Sequence, residues 1–382
     1  MPWNVLSKMS LRQEFVELAS RDGANMRALC SRFGISRKAG YKWLSRYRSS
    51  GMEGLEDQDR RPKHSPQRAS AAVEALVLSI REQNPCWGGR KIRARLSQLG
   101  HLQLPSASTM TEILRRHGKL TSEESRKHTP FKRFERATPN ELWQMDFKGW
   151  VRYEEADQAR RCYPLTILDD HSRYSLCIAA CSNEQRTTVQ QAMISVFRHY
   201  GLPLQMTMDN GAPWGNGPLH EYTGLTVWLM HLGIRVSHSR PYHPQTQGKD
   251  ERFHRTLKAE VLNGFVGHSQ DDFQRCFDAW RHRYNHERPH EAIQDQVPAS
   301  RYRPSDRTYP EQLPPIEYAA GELVRKVQLD GNIYFKGHLP LIGKAFKGYP
   351  VRLQASSTDG IFDAYFGTNW IRQFDLREAA KA

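Results

Sequence analysis

The chain lacks any run of about 20 apolar residues, the length that a membrane-spanning helix needs. Its six cysteines are scattered, and no two of them are spaced as C-x-x-C. These absences argue against a membrane protein, a disulfide framework and a zinc ribbon. No apolar run follows the first basic residue, Lys8, so a signal peptide is not expected. The sequence therefore predicts a soluble, cytoplasmic protein.

Acidic residues are scarce in the N-terminal third. Residues 1–140 contain 27 Lys and Arg but 13 Asp and Glu, whereas residues 141–382 contain 29 and 28. Almost all of the formal net charge of +15 therefore lies near the N-terminus. A basic block of this kind attracts a polyanion by displacing its condensed counterions. A solvated basic surface that serves solubility is the alternative.

Three short helices are predicted within residues 1–57, which we assign as a first helix-turn-helix domain. Asn25 and Ser36 are suitable N-caps, and Gly34 suits the turn between the last two helices. The predicted helices are Leu11–Ala19, Met26–Phe33 and Arg37–Arg48. In this arrangement the last helix enters a major groove of DNA. The alternative is an ordinary three-helix bundle with a charged outer face. The candidate DNA-binding residues are Arg37, Lys38, Lys42 and Arg46.

The same pattern repeats after a basic linker at residues 58–69. A second helix-turn-helix domain is predicted over residues 70–120, with Ser106 as the cap of its third helix. The predicted helices are Val73–Glu82, Gly89–Leu99 and Ser106–His117. Its candidate DNA-binding residues are Arg90, Lys91, Arg93 and Arg115. Two such domains suggest a long, two-part site on double-stranded DNA. A second polar and basic linker follows at residues 121–139.

From residue 140 onward, short apolar runs alternate with helical periods. The predicted order is β-β-β-α-β-α-β-α, which indicates an α/β domain with a mixed sheet flanked by helices over residues 140–268. The predicted strands are Leu142–Phe147, Tyr163–Asp169, Tyr174–Ala180, Leu204–Met208 and Ile234–His238. The predicted helices are Thr187–Tyr200, one near Leu219–Leu232 and a long one that begins near Lys249.

Three carboxylates lie where this fold would place a ligand. Asp146 is on the first strand, Asp209 follows the fourth, and Glu251 opens the last helix. On that helix Glu251, Arg255 and Lys258 share a stripe that differs from the apolar stripe, so they point away from the core. Clustered carboxylates repel each other unless a cation such as Mg²⁺ binds them. Two such ions can promote displacement at a phosphodiester.

Other residues compete for these positions. Asp169 and Asp170 also end a strand, although turn chemistry would equally explain them. Asp250 competes with Glu251, but adjacent helical residues are about 100° apart, so only one of them can share the face of Lys258. The segment 286–290 matches the H-E-x-x-H zinc pattern. We reject that interpretation because Pro289 disfavours the unbroken helix that the pattern requires.

Several of these segments together resemble one known family. They are Trp143–Gly149, Asp209–Gly211, His243–Arg255 and Tyr284–His290. The set is similar to the catalytic core of bacterial insertion-sequence transposases, a family related to retroviral integrases. The resemblance implies a ribonuclease-H-like fold and a DDE triad of Asp146, Asp209 and Glu251. It further implies that this triad binds two Mg²⁺ ions, for which Mn²⁺ can substitute, and that Lys258 contacts the transposon end. Arg255, on the same stripe, is a further candidate DNA contact.

The C-terminal third begins with a helix and a proline-rich linker, residues 269–315. Alternating apolar and polar residues with repeated glycines then predict a small β-barrel over residues 316–377. Its basic residues permit a second DNA contact. A plain interaction or stability module is the alternative.

The combined expectation is a multidomain DNA transposase of the bacterial cytoplasm, associated with the nucleoid. It would bind terminal inverted repeats, cleave 3′ ends and transfer them into target DNA. Because two DNA ends must be paired, we expect a homo-oligomer, dimer or larger, on DNA. The alternatives are a DNA-binding regulator with an inactive core and a ribonuclease-H-type nuclease.

Overall fold

The computed structural model describes residues 8–57, 68–120, 135–215, 222–238 and 248–378. The chain divides into two compact units, Met1–Arg68 and Ala69–Ala382. Residues 58–67 of the first predicted linker and 121–134 of the second lie outside the described residues. So do residues 239–247, which include the start of the motif 243–255.

The first unit contains the predicted helix-turn-helix domain. Its helices are α1 (Lys8–Ala19), α2 (Met26–Arg32) and α3 (Arg37–Ser50), and a short 3₁₀ helix, Gly51–Leu55, follows. The predicted caps are confirmed, since Asn25 accepts from the amides of α2 and Ser36 from the amide of Ala39. The helices enclose a small core of Phe15, Val16, Ala19, Cys30, Leu44 and Leu55.

The second helix-turn-helix domain has the same three-helix arrangement. Its helices are α4 (Ala71–Gln83), α5 (Gly89–Gln98) and α6 (Ala107–Arg116). Ser106 caps α6 by accepting from the amide of Thr109, as predicted. The three helices pack around a core that includes Val77, Trp87, Ile92, Leu96, Met110 and Ile113.

A six-stranded mixed sheet forms the centre of the second unit. Its strands are β1 (Trp143–Phe147), β2 (Val151–Glu155), β3 (Gln158–Asp169), β4 (Ser175–Cys181), β5 (Gln205–Met208) and β6 (Arg235–His238). The main path is β2-β3-β1-β5-β6, and β4 pairs with β3. Strand β5 pairs parallel with both β1 and β6. Strand β3 pairs antiparallel with β1, β2 and β4. The predicted mixed sheet is confirmed, but the β2–β3 hairpin was not predicted.

Helices cover both faces of this sheet. They are α7 (Arg186–Tyr200), α8 (Gly224–His231), α9 (Gly248–Leu257) and α10 (Gln270–His286), and α9 continues into a π-helical turn, Lys258–Leu262. Trp143 and Met145 of β1 pack with α7 and α8. The opposite face packs on α9 and α10. Because side chains alternate along a strand, Gln144 and Asp146 point toward the side of α9.

The C-terminal region is an open sheet, so the predicted β-barrel is not confirmed. Its strands are β7 (Leu323–Lys326), β8 (Pro350–Ala355), β9 (Ile361–Phe366) and β10 (Asn369–Asp375), in the antiparallel order β10-β9-β8-β7. No pairing joins β7 to β10 within the described residues 322–378. Val227 and Met230 of α8 share the core of this sheet, so its apolar face is covered without closure into a barrel.

Membrane association was not expected, and none of the helices in the described ranges is both long and apolar enough to span a bilayer.

Candidate active site

Asp146 and Asp209 lie at the ends of neighbouring parallel strands. The register pairs Trp143 with Met206 and Gln144 with Thr207. Asp146 lies further along β1, and Asp209 directly follows the last residue of β5. Burial, and next the charge of Asp209, raise the pKa of Asp146 to about 7. The sheet therefore brings together two of the three carboxylates that the sequence predicts.

Helix α9 brings a different pair of side chains to Asp146. Asp146, Asp250 and His254 each have a potential metal-ligand atom, and these atoms all lie within 4.8 Å of one another. Asp250 and His254 are four residues apart and so share one helix face. Neither Asp209 nor Glu251 belongs to this group of described residues. The sequence pointed to Asp250 only as a rival of Glu251, and to His254 not at all, although their i, i+4 spacing was the available signal.

Asp250 is the most buried carboxylate of the group, with 1% of its surface exposed. Neither of its carboxylate oxygens has a hydrogen-bond partner in the described part of the chain. Burial, followed by the charges of Asp146 and Glu251, raises the pKa of Asp250 well above its ordinary value. A buried carboxylate without partners is unfavourable unless it binds a proton or a cation.

Glu251, Arg255 and Lys258 are all exposed. They form the outward stripe that the helical periodicity predicts. The effect of Glu251 on the pKa of Asp250 places the two carboxylates near each other. Glu251 as the third metal ligand, and Arg255 and Lys258 as DNA contacts, remain predictions.

A chain of hydrogen bonds fixes His254 against the sheet. Its Nε2 lies 2.7 Å from Oγ1 of Thr166, and that hydroxyl donates to the carbonyl oxygen of Asp146 at 3.0 Å. Its other ring nitrogen, Nδ1, lies 3.9 Å from Oδ2 of Asp146. Burial, assisted by the charge of Lys148, lowers the pKa of His254 to about 3, so the ring is neutral at physiological pH.

Asp169 and Asp170, the rivals of Asp146, have structural partners. Asp169 accepts from the amides of Asn140 and Ser172 and from the hydroxyl of Ser172. Asp170 accepts from the amide of Arg136, from Gln144 and from the ammonium of Lys249. The contacts of Asp169 with Ser172 fit the turn interpretation, whereas Asp170 is held by residues that are distant in the chain. His286 and His290 do not appear in any potential metal-binding group of the described residues.

The candidate DNA-binding residues of the first domain lie on α3. Arg37, Lys38 and Lys42 are exposed, and Arg46 is partly exposed. Lys42 lies 4.9 Å and Arg46 5.3 Å from the ring of Trp43, which holds these cations beside an aromatic surface. Their position on α3 agrees with the predicted recognition helix.

In the second domain, α5 contacts the catalytic core. Arg90 forms ion pairs with Glu291 at 3.0 Å and with Asp295 at 3.3 Å. Burial, followed by the charge of Arg288, lowers the pKa of Lys91 to about 8. For Arg90 to contact DNA, phosphates would have to replace the carboxylates of Glu291 and Asp295 as its partners. Arg93 and Arg115 are exposed and remain candidates.

Several parts of the chain match known domain families. Residues 136–244 and 232–298 match integrase core domains. Residues 11–63 match a helix-turn-helix domain, and residues 39–114 match a homeodomain-like domain. Residues 322–382 match the C-terminal domain of the IS481 family of transposases.

Two insertion-element proteins are similar in sequence. A 39.2 kDa uncharacterized protein of element IS476 from Xanthomonas euvesicatoria is 24% identical, and the match covers 69% of this chain and 74% of that protein. A 31.7 kDa uncharacterized protein of element IS407 from Burkholderia multivorans is 25% identical, over 42% of this chain and 54% of that protein. The chain thus spans about half of the second relative.

A simian T-cell lymphotropic virus intasome chain is similar at 15% identity, with a TM-score of 0.36, over 80% of this chain and 98% of that chain. That structural similarity is too weak to add to the assignment. The domain matches and the insertion-element relatives support the resemblance that the sequence motifs indicate, to insertion-sequence DDE transposases with an integrase-type catalytic core.

Proposed function

We propose that the chain binds the terminal inverted repeats of its element, cleaves the 3′ ends and transfers them into target DNA. The observation that carries this proposal is the position of Asp146 on β1, beside the strand that Asp209 follows and next to the acidic start of α9. Carboxylates gathered at the carboxyl ends of parallel strands are suited to bind cations against a phosphodiester.

Both proposed reactions are displacements at phosphorus. In cleavage, the oxygen of water bonds to phosphorus, the bond from phosphorus to the 3′ oxygen breaks, and that oxygen leaves as the 3′-hydroxyl. In strand transfer, this hydroxyl attacks a target phosphodiester, loses its proton, and displaces a target 3′ oxygen. Each step exchanges one P–O bond for another, so no nucleotide cofactor is required.

The residues at this site fit divalent cations. They provide several carboxylates, and one of these, Asp250, is buried without a partner among the described residues. Asp146, Asp209 and Glu251 would hold two Mg²⁺ ions, or Mn²⁺ in their place. Such ions would activate the attacking oxygen and stabilise the leaving oxygen. Arg255 and Lys258, exposed on the same helix as Glu251, would bind the DNA backbone and orient the scissile phosphate.

The two helix-turn-helix domains would bind the terminal repeats, with Arg37, Lys38, Lys42 and Arg46 on the first domain. Because two ends must be held together, the active form would be a homo-oligomer on DNA, a dimer or larger. The site of action would be the bacterial cytoplasm, on the nucleoid.

The test uses the inverted repeats that flank this reading frame, as labelled duplexes with the full chain. Asp209→Asn should retain end binding in a gel shift and lose cleavage at least about a hundredfold in Mg²⁺. The asparagine keeps the carbonyl oxygen that accepts from the amide of Gly211, so the local turn should persist. Asp271→Asn, at an exposed position of α10, is the matched control and should cleave normally.

Cleavage by Asp209→Asn at the wild-type rate would contradict the mechanism. A gel shift by the wild-type chain without any nicking in Mg²⁺ or Mn²⁺ would favour the regulator with an inactive core. Cleavage of RNA–DNA hybrids without strand transfer would favour the nuclease.

A further inference from the structure

The face of α9 that meets β1 presents ligands that the DDE triad does not include. Asp250 and His254 point at Asp146, whereas Glu251 is exposed. An acidic cluster alone is weak evidence for a site. Here, however, the carboxylate of Asp250 is almost fully buried and has no partner among the described residues. Such a group requires a cation or a proton to compensate for the loss of water.

The hydrogen bonds of His254 determine which ring nitrogen can bind a cation. The hydroxyl of Thr166 uses its hydrogen to donate to the carbonyl of Asp146. It must then accept from Nε2 of His254, so Nε2 carries the proton of the neutral ring. Nδ1 is left with a free electron pair on the side of Asp146. Metal-binding histidines are commonly oriented in this way, by a hydrogen bond from the other ring nitrogen.

The separations suit a single ion. Two ligand atoms that are each about 2.1 Å from one ion can be at most about 4.2 Å apart. Nδ1 of His254 and Oδ2 of Asp146 are 3.9 Å apart. A carboxylate oxygen of Asp250 lies within 4.8 Å of a potential ligand atom on each of Asp146 and His254.

We propose that Asp146, Asp250 and His254 form a divalent-cation site with one nitrogen and two carboxylate ligands, and that this site prefers Mn²⁺ to Mg²⁺. Imidazole nitrogen suits transition metals better than Mg²⁺, which strongly favours oxygen ligands. This inference deepens the proposed function and rests on it, because the ion would be one of those that serve DNA cleavage. Glu251 is then left to bind a second ion or to face DNA.

The experiment titrates the full-length, metal-free chain with Mn²⁺ alone, without DNA. Calorimetry gives the dissociation constant, and electron spin-echo modulation reports whether a ¹⁴N nucleus is bound directly to the ion. The wild-type chain should show imidazole ¹⁴N modulation and bind Mn²⁺ at least about tenfold more tightly than Mg²⁺. His254→Gln should lose the modulation, and Asp250→Asn should weaken Mn²⁺ binding about tenfold or more.

Asp271→Asn, at an exposed position of α10, is the matched control for the loss of one carboxylate. It should keep both the modulation and the Mn²⁺ affinity of the buried site. Circular dichroism and the unfolding midpoint of each variant show whether it is folded. If His254→Gln is unfolded, His254→Asn provides the same test.

The proposal is overturned if the wild-type chain shows no ¹⁴N modulation, or if folded His254→Gln or His254→Asn retains it. It is also overturned if folded Asp250→Asn binds Mn²⁺ as tightly as the wild type and the Asp271→Asn control. Failure of the proposed function gives a different result: terminal-repeat DNA stays uncut in both metals, although the nitrogen-containing Mn²⁺ site is present.

Discussion

Lys249 and Asp170 form a buried ion pair between the first turn of α9 and the end of β3. Asp170 is fully buried, and 16% of the Lys249 side chain is exposed. Burial, and then the charge of Arg173, lower the pKa of Lys249 to about 8, so Asp170 only partly offsets the cost of burying this cation. The pair fixes the start of the helix that carries Asp250, Glu251 and His254.

We predict that Asp170→Asn destabilises the chain and impairs the site together. Removing one partner of a buried pair leaves an uncompensated charge, at a cost of about 3 kcal/mol or more. Because α9 would lose its anchor, DNA cleavage should fall about tenfold or more while end binding persists. Urea unfolding and the labelled-duplex assay measure the two effects.

Asp271→Asn is again the control for loss of one exposed carboxylate. The double variant Asp170→Asn/Lys249→Met should recover part of the lost stability, because it removes the orphaned cation as well. An unchanged unfolding midpoint in Asp170→Asn would show that the pair does not hold α9 in place.

Local signals in the sequence were sufficient to predict the helices. Asn25, Ser36 and Ser106 cap the helices that they were predicted to cap, because a cap depends only on the next few residues. The β2–β3 hairpin was missed because its residues, 151–161, are mostly polar and exposed and show little apolar alternation. The β-barrel is not confirmed, because part of the surface that covers the C-terminal sheet comes from α8, about a hundred residues earlier in the chain.

The candidate site was also only partly predictable, because contacts between distant parts of the chain contribute to it. The predicted strand ends indicated Asp146 and Asp209 as site residues, since parallel strands bring their carboxyl ends to one edge of the sheet. The rotation of α9 about its axis decides whether Asp250 or Glu251 faces β1. That rotation is set by distant contacts, including Asp170 with Lys249 and Thr166 with His254. Neither contact has a signature in the local sequence.

The ion pairs of Arg90 predict a division of roles within the second helix-turn-helix domain. The side chains of Arg90 and Arg115 are both exposed, but Arg90 on α5 pairs with Glu291 and Asp295 outside its own domain, whereas Arg115 on α6 pairs only with Glu112 of its own helix among the described acidic residues. Arg115→Gln should weaken binding to terminal-repeat DNA and reduce the slope of log affinity against log salt by about 0.9, the value for one lost phosphate contact. Arg90→Gln should leave that slope unchanged. Fluorescence anisotropy over a range of salt concentrations measures both variants, and an equal loss of slope would show that α5 leaves the core to bind DNA.

His290 predicts an acid-sensitive step in stability. Burial, followed by the charges of Arg288 and Lys91, lowers the pKa of His290 well below its ordinary value. In the unfolded chain the ring has a pKa of about 6.5, so below that pH the unfolded state binds a proton that the folded state does not. The free energy of unfolding should therefore fall as pH decreases below about 6.5, by up to about 1.4 kcal/mol per pH unit from this residue.

Urea unfolding of His290→Gln at pH 7.5 and 5 should show a smaller loss of stability than the wild type. His282→Gln, at an exposed position of α10, should match the wild type. Equal losses in all three chains would mean that His290 takes up its proton without unfolding, and that another group causes the acid sensitivity.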